Sequence, residues 1–107
     1  MVRQKPYDLI YDTEVQSHVS KIDRKYHSLI RKEIKDQLRY EPETETRNRK
    51  PLTRPSVLGS SWELRFGPDN RFRVFYRVNQ ENRQVYILAV GIEVKDQLII
   101  GGEVFRL

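Results

Sequence analysis

The chain has 107 residues, no Cys and only two His, His18 and His27, which are not at a metal-ligand spacing. That length suits one domain spanning residues 1–107 with a single real core; the composition excludes disulfides and thiolate metal sites and argues against structural zinc. Twenty Lys and Arg against fifteen Asp and Glu leave a formal net charge of +5, which leans toward a polyanionic partner.

The N-terminus, Met1 to Pro6, lacks the apolar stretch of a signal peptide. The longest nearly continuous apolar run, Val85 to Ile92, is far short of the ~18 residues that a membrane span needs. A soluble, cytoplasmic protein with no membrane partner is expected.

Tyr7 to Tyr11 is aromatic and branched-aliphatic and reads as a first strand. Thr13 is placed to cap a helix, with Glu14 in its first turn and Gln16 at the capping-box position. Val15, Val19, Ile22, Tyr26, Ile30, Ile34 and Leu38 then recur in steps of three and four, which is one helical face. Asp23 interrupts that pattern as a second cap, so a hairpin of two helices is predicted. Pro42 ends it, because the residue before proline avoids helical geometry. Residues 41–60, with Pro42, Pro51, Pro55 and Gly59, read as a long loop.

The second half has a different period. Trp62 to Phe66 alternates strictly, Gly67 to Asn70 is a turn signal, and Arg71 to Val78 alternates again. After a turn at 79–82, Val85 to Ile92 is apolar on both faces, as a central strand is. Gln97 to Ile100 and Glu103 to Phe105 add edge strands. Strand, helices, then antiparallel meander is an α+β layout with the helices on one face of the sheet.

Alternation assigns sides. Trp62, Leu64, Phe66, Phe72, Val74, Tyr76 and Val78 belong to the core face. The other face carries Glu63, Arg65, Arg71, Arg73, Phe75 and Arg77. Guanidinium groups on adjacent strands repel, which makes sense if a polyanion supplies the missing charge. Arg grips phosphate bidentately, and an exposed Phe75 would stack an unpaired base. The basic loop adds Arg47, Arg49, Lys50 and Arg54. A solvated strand face of Arg–Glu pairs is the plain alternative. For chemistry on RNA, attack by a 2′-hydroxyl needs a base, an acid and charge stabilisation at phosphorus. Arg supplies the last, Glu63 is the carboxylate on the Arg face, and Lys50 and Lys95 are candidate acids. His18 and His27 lie on the helices and read as packing or surface residues.

The ordered set Arg49-Lys50-Pro51-Leu52, Trp62 to Phe66, Arg71 to Val78, Val85 to Gly91 and Leu98 to Glu103 resembles the RelE/ParE toxin superfamily of bacterial toxin–antitoxin systems over nearly the whole chain. The resemblance implies a RelE-like fold and an mRNA interferase: an endoribonuclease that cleaves mRNA at the ribosome, inhibits translation, needs no metal or other cofactor, and is neutralised by a cognate antitoxin in a hetero-oligomer. It puts Arg73 at the place of a phosphate-stabilising Arg and Arg65 at a basic place on the strand before it; with Glu63 and Lys95 from the residue chemistry above, the expected catalytic set is Arg73, Arg65, Glu63 and Lys95. Arg49, Lys50, Arg54, Arg71, Phe75 and Arg77 would bind RNA. Where the RelE branch carries a further Arg and then a Tyr, this chain has Ile92-Glu93 and Ile99, with Lys95 the nearest base. The ParE branch acts on DNA gyrase, so a non-enzymatic, gyrase-directed or inactive antitoxin-binding protein is the alternative that the fold allows.

Overall fold

The computed structural model describes residues 5–106 apart from 55 and 57. Strand β1 (Asp8–Tyr11) leads into helix α1 (Glu14–Ser20), a single 3-10 turn at Arg24–Tyr26, and helix α2 (His27–Leu38). Strands β2 (Arg49–Pro51), β3 (Trp62–Phe66), β4 (Phe72–Asn79), β5 (Gln84–Val94), β6 (Gln97–Ile100) and β7 (Glu103–Phe105) follow. They form one sheet in the order β2-β3-β4-β5-β6-β7, antiparallel throughout. β1 joins it in parallel, along the first half of β5.

β5 can be this long because it has partners along its whole length. β4 lies on one side; β1 and then β6 share the other. Continuous pairing with cover on both faces explains its near-unbroken apolar run. One irregularity interrupts it: Phe75 opposes Ala89 while Tyr76 opposes Ile87, leaving Leu88 without a partner on β4. This is a β-bulge.

The helical hairpin forms as expected, with its details changed. Thr13 holds the cap position of α1, but its side chain makes no capping bond. Asp12 does that work: its Oδ1 accepts the Glu14 N–H at 3.1 Å. The capping box with Gln16 is therefore absent. Asp23 caps as predicted, its Oδ1 accepting from the Lys25 N–H at 3.0 Å. Val15, Ile22, Ile30, Ile34 and Leu38 pack with Leu64, Phe66, Phe72, Val74, Tyr76, Val85, Ile87 and Val90 into the main core. The helices thus cover one face of the sheet, and the residues assigned to that face by alternation are there. The Tyr76 hydroxyl donates to the Pro42 carbonyl at 2.6 Å, which anchors the chain where it leaves α2. Burial pushes that phenol far above its usual pKa.

Two expectations are corrected. The 41–60 segment is not a simple loop, since Arg49–Pro51 pairs with β3 as an edge strand, Arg49 opposite Leu64 and Lys50 opposite Glu63. The other face is not uniformly polar either. Phe75, Ala89 and Ile100 are buried there, with Leu52, Leu58, Leu98 and Phe105 packed against them. β6, β7, Leu52 and Leu58 fold over the middle of that face and build a second, smaller apolar layer.

Candidate functional site

The turn at 67–70 sets the top of the polar face. Gly67 has φ +81°, and a Cβ there would run into the Phe72 ring, so only glycine lets the chain pass the core at this point. Asp69 and Asn70 are also left-handed, with φ +56° and +51°, a conformation that Asn and Asp tolerate best among non-glycine residues. This brings the Asn70 carbonyl to 3.2 Å from Arg73 Nε.

Register then assembles the site, because residues directly opposite on neighbouring strands share a face. Lys50, Glu63, Phe75 and Ala89 form one row across β2 to β5. Arg65, Arg73, Gly91 and Ile100 form the next, across β3 to β6. Beyond them the Glu93 N–H donates to the Arg71 carbonyl at 2.7 Å, which puts those two residues side by side. At the open end of the second row Asn48 clasps Arg65: its carbonyl accepts the Arg65 N–H at 2.8 Å and its Nδ2 donates to the Arg65 carbonyl at 2.7 Å.

Each nitrogen of the Arg73 guanidinium has a partner. Nη1 donates to Glu63 Oε1 at 3.3 Å, Nη2 to Glu93 Oε2, and Nε to Asn70. Arg65 Nε donates to the same Glu63 oxygen. The Glu63 side chain is 6% exposed, that of Arg73 12%, Arg65 43% and Glu93 38%. A nearly buried carboxylate is thus held between two cations, and a more open one leans on Arg73 from the solvent side. Gly91, directly opposite Arg73, has no room for a side chain, since a Cβ would lie 2.9 Å from Ile100 Cγ1 and from the Ile99 carbonyl oxygen. Its absence lets β6 close against the floor beside the arginines.

Of the four residues in the expected catalytic set, the fold brings Glu63, Arg65 and Arg73 together and leaves Lys95 outside. Lys95 sits with Asp96 in the two-residue β5–β6 hairpin turn, both left-handed at φ +51° and +65°, exposed and in no ion pair with a described residue. Among the expected RNA contacts, Lys50 and Arg54 are exposed. Arg71 is half-exposed and pairs loosely with Asp69 at 3.5 Å. Arg77 is exposed and stacked 4.5 Å from the Tyr86 ring. Four residues along β4 from Arg73, it stands about 13 Å away at strand rise, with Phe75 between.

Two of that set are corrected. Phe75 is completely buried under the second apolar layer and cannot stack on a base. Arg49 is buried and turned inward: Nη1 donates to the Gln37 carbonyl at 2.6 Å and Nε to the Thr44 carbonyl at 2.9 Å. It satisfies a carbonyl in the last turn of α2, where a cation is favoured, so its role is structural. Both His residues also serve the fold. His18 Nδ1 accepts the Val90 N–H at 3.3 Å, and His27 Nε2 lies 2.8 Å from the Ile22 carbonyl oxygen. Burial holds the His18 imidazole below its usual pKa, against the pull of Glu14 and Asp12.

The chain matches no family model and no curated protein. Among solved structures, its fold is similar to that of a chain in the crystal structure of the toxin–antitoxin complex RelBE2 from Mycobacterium tuberculosis. The TM-score is 0.64 at 25% sequence identity, covering 85% of this chain and 95% of that one. The α+β fold of strand, two helices and antiparallel meander is therefore shared with a chain of that complex.

A concave feature lies across the sheet from the arginines. An open groove of about 770 Å³ runs between the helices and the end of β1, lined by Tyr11, Val15, Val19, Ile30, Arg31 and Ile34 among others. Burial raises the pKa of the Tyr11 phenol, while Arg31 pulls it back. Sequence periodicity marks these apolar positions as core and carries no sign of the groove between them.

Proposed function

We propose that this chain is the toxin of a type II toxin–antitoxin pair, acting in the cytoplasm on messenger RNA at or near the ribosome and held inactive by a cognate antitoxin. The observation that carries the reading is the pair of guanidinium groups, Arg65 and Arg73, joined through one Glu63 oxygen on a sheet face flanked by Lys50 and Arg71. The likeness to a chain of a toxin–antitoxin complex supports the toxin–antitoxin role.

In this reading Arg73 stabilises charge developing on the phosphoryl oxygens as the 2′-hydroxyl attacks phosphorus, and Arg65 grips the neighbouring backbone. Glu63 holds both guanidinium groups through Oε1 and takes the 2′-hydroxyl proton on its other oxygen. Lys50, in register with Glu63, is better placed than Lys95 to protonate the leaving oxygen. Lys50, Arg54 and Arg71 hold the strand, with Arg77 reaching a more distant nucleotide. The antitoxin covers the arginine face or the helical hairpin, and the groove between the helices suits a segment that folds on binding.

A second reading, a non-enzymatic binder such as a gyrase-directed toxin or an inactive antitoxin-binding protein, is favoured by one feature. Both carboxylates of the face are already bonded to arginine, and both His residues lie on the helices. One experiment separates the two. The chain is expressed with and without its neighbouring gene product, growth is followed, and purified protein is incubated with mRNA in a chelator, with and without ribosomes. Growth arrest with cleaved RNA supports the nuclease; arrest with intact RNA supports the binder. Absence of arrest argues against a toxin and supports the inactive antitoxin-binding protein.

A further inference from the structure

The geometry points to Glu93 as a gate on Arg73: its carboxylate occupies the anion seat that a phosphate must take, and it opens by exchanging Arg73 for Arg71. The inference rests on the reading of Arg73 as the phosphate-binding group and adds what controls access to it.

Two carboxylates hold Arg73, and they are not equivalent. Glu63 is almost wholly buried and also bonded to Arg65, so it cannot leave without stranding a charge. Glu93 is the more exposed and contacts Arg73 through a single Oε2···Nη2 bond. A carboxylate and a phosphate present the same acceptor geometry to a guanidinium fork. With Nε held by Asn70 and Nη1 by Glu63, Nη2 is the donor an incoming phosphate can claim at least cost.

Glu93 has somewhere to go. Its backbone N–H is bonded to the Arg71 carbonyl, so the two side chains spring from adjacent points, one on β5 and one at the residue just before β4. The Arg71 guanidinium is held only weakly, at 3.2 Å from the Pro68 carbonyl oxygen and 3.5 Å from Asp69, whose side chain is 90% exposed. A rotation of Glu93 toward Arg71 keeps the carboxylate paired while Nη2 of Arg73 is released. An ion pair this open is worth at most about a fivefold factor in an equilibrium constant, so the gate attenuates binding and does not forbid it.

The test uses the whole protein, inorganic phosphate as probe at constant ionic strength, and the Arg73 guanidinium ¹⁵N–¹H signal as readout. Glu93→Gln keeps the side-chain shape and removes the charge, and Glu93→Ser removes the reach as well. Both are expected to bind phosphate at Arg73 about fivefold more tightly than the wild type. Arg71→Ala is expected to weaken phosphate binding more in the wild type than in the Glu93→Gln background, because only the wild type needs a second seat for the carboxylate. Equal phosphate affinity in wild type and both Glu93 variants, or no phosphate response at Arg73 in any of them, overturns the gate. If the Glu93 variants gain phosphate affinity but no variant binds or cleaves RNA, the gate stands and the RNA reading falls.

Discussion

Arg65 and Arg73 stand in register on adjacent strands, two guanidinium groups bonded to a single carboxylate oxygen of Glu63. Like charges placed directly opposite destabilise a sheet, and here the buried Glu63 makes the juxtaposition tolerable. The arrangement holds positive charge at one place while keeping it paired in the absence of a ligand.

Arg73→Ala is expected to abolish the proposed activity while leaving a folded protein. Its side chain leaves the face opposite the main core, so truncation opens no cavity there. Glu63 keeps its bond to Arg65, and the stability cost should be about 1–2 kcal/mol. Loss of charge stabilisation at phosphorus should lower the cleavage rate about a hundredfold or more. Arg73→Lys should restore only part, because an ammonium cannot reproduce the fork. Growth assays paired with melting curves measure both effects; a well-folded, fully toxic Arg73→Ala would sink the assignment.

Glu63→Ala should damage the fold more than Arg73→Ala. It leaves two guanidinium groups opposed with no shared counter-charge and costs about 3 kcal/mol, in the range for breaking a buried ion pair. A chemical denaturation midpoint unchanged from the wild type would show that the carboxylate is not what holds the arginines.

RNA affinity should be salt-dependent. Three to four phosphate contacts, each contributing about −0.7 to the slope of log K against log salt for single strands, predict a slope of roughly −2 to −3. Reversing the charge of Arg65 should flatten it, whereas Arg49→Ala should lower stability without acting through the face. A salt-independent affinity would move the source of binding elsewhere.

His18 should make stability pH-dependent. Its folded-state pKa lies below the ordinary 6.5, so the unfolded chain takes up the proton first as pH falls. The stabilisation is complete above about 6.5 and declines as pH drops through that value toward the folded pKa. Protonation of Nδ1 also removes the acceptor for the Val90 N–H. Melting temperatures between pH 8 and 5.5 should fall more steeply for the wild type than for His18→Asn; parallel curves would remove His18 from the account.

The sides of β3 and β4 were readable because a period of two over eight residues has no competing interpretation. The order of elements was readable for a similar reason, since the period changes from helical to strand-like at Trp62. What alternation cannot report is how many layers cover a face. Phe75 alternates with the core set and so reads as exposed, yet Leu52, Leu58, Leu98 and Phe105 arrive from other segments to bury it. Arg49 reads as solvated because it sits in a basic, proline-containing stretch. Its partners are main-chain carbonyls at Gln37 and Thr44, which no side-chain pattern marks. β2 leaves no mark in the sequence, because three residues reading Arg-Lys-Pro lack any strand signature.

The bulge at Leu88 inverts the parity of β5. Counted back from the Arg77–Tyr86 pair without it, Val90 would oppose Arg73 and Ile92 would oppose Arg71, while Glu93 would be driven toward the helices. The one extra residue lets Val85 and Ile87 before it, and Val90 and Ile92 after it, all belong to the main core. It also delivers Gly91 to Arg73 and Glu93 to the arginine face. Drawing Leu88 into the ladder would therefore be no local repair: it would exchange inside for outside along the second half of the strand, and both the core and the charged cluster would be lost, whereas deleting Leu88 would leave Ala89, Val90 and Gly91 opposite the partners they already have.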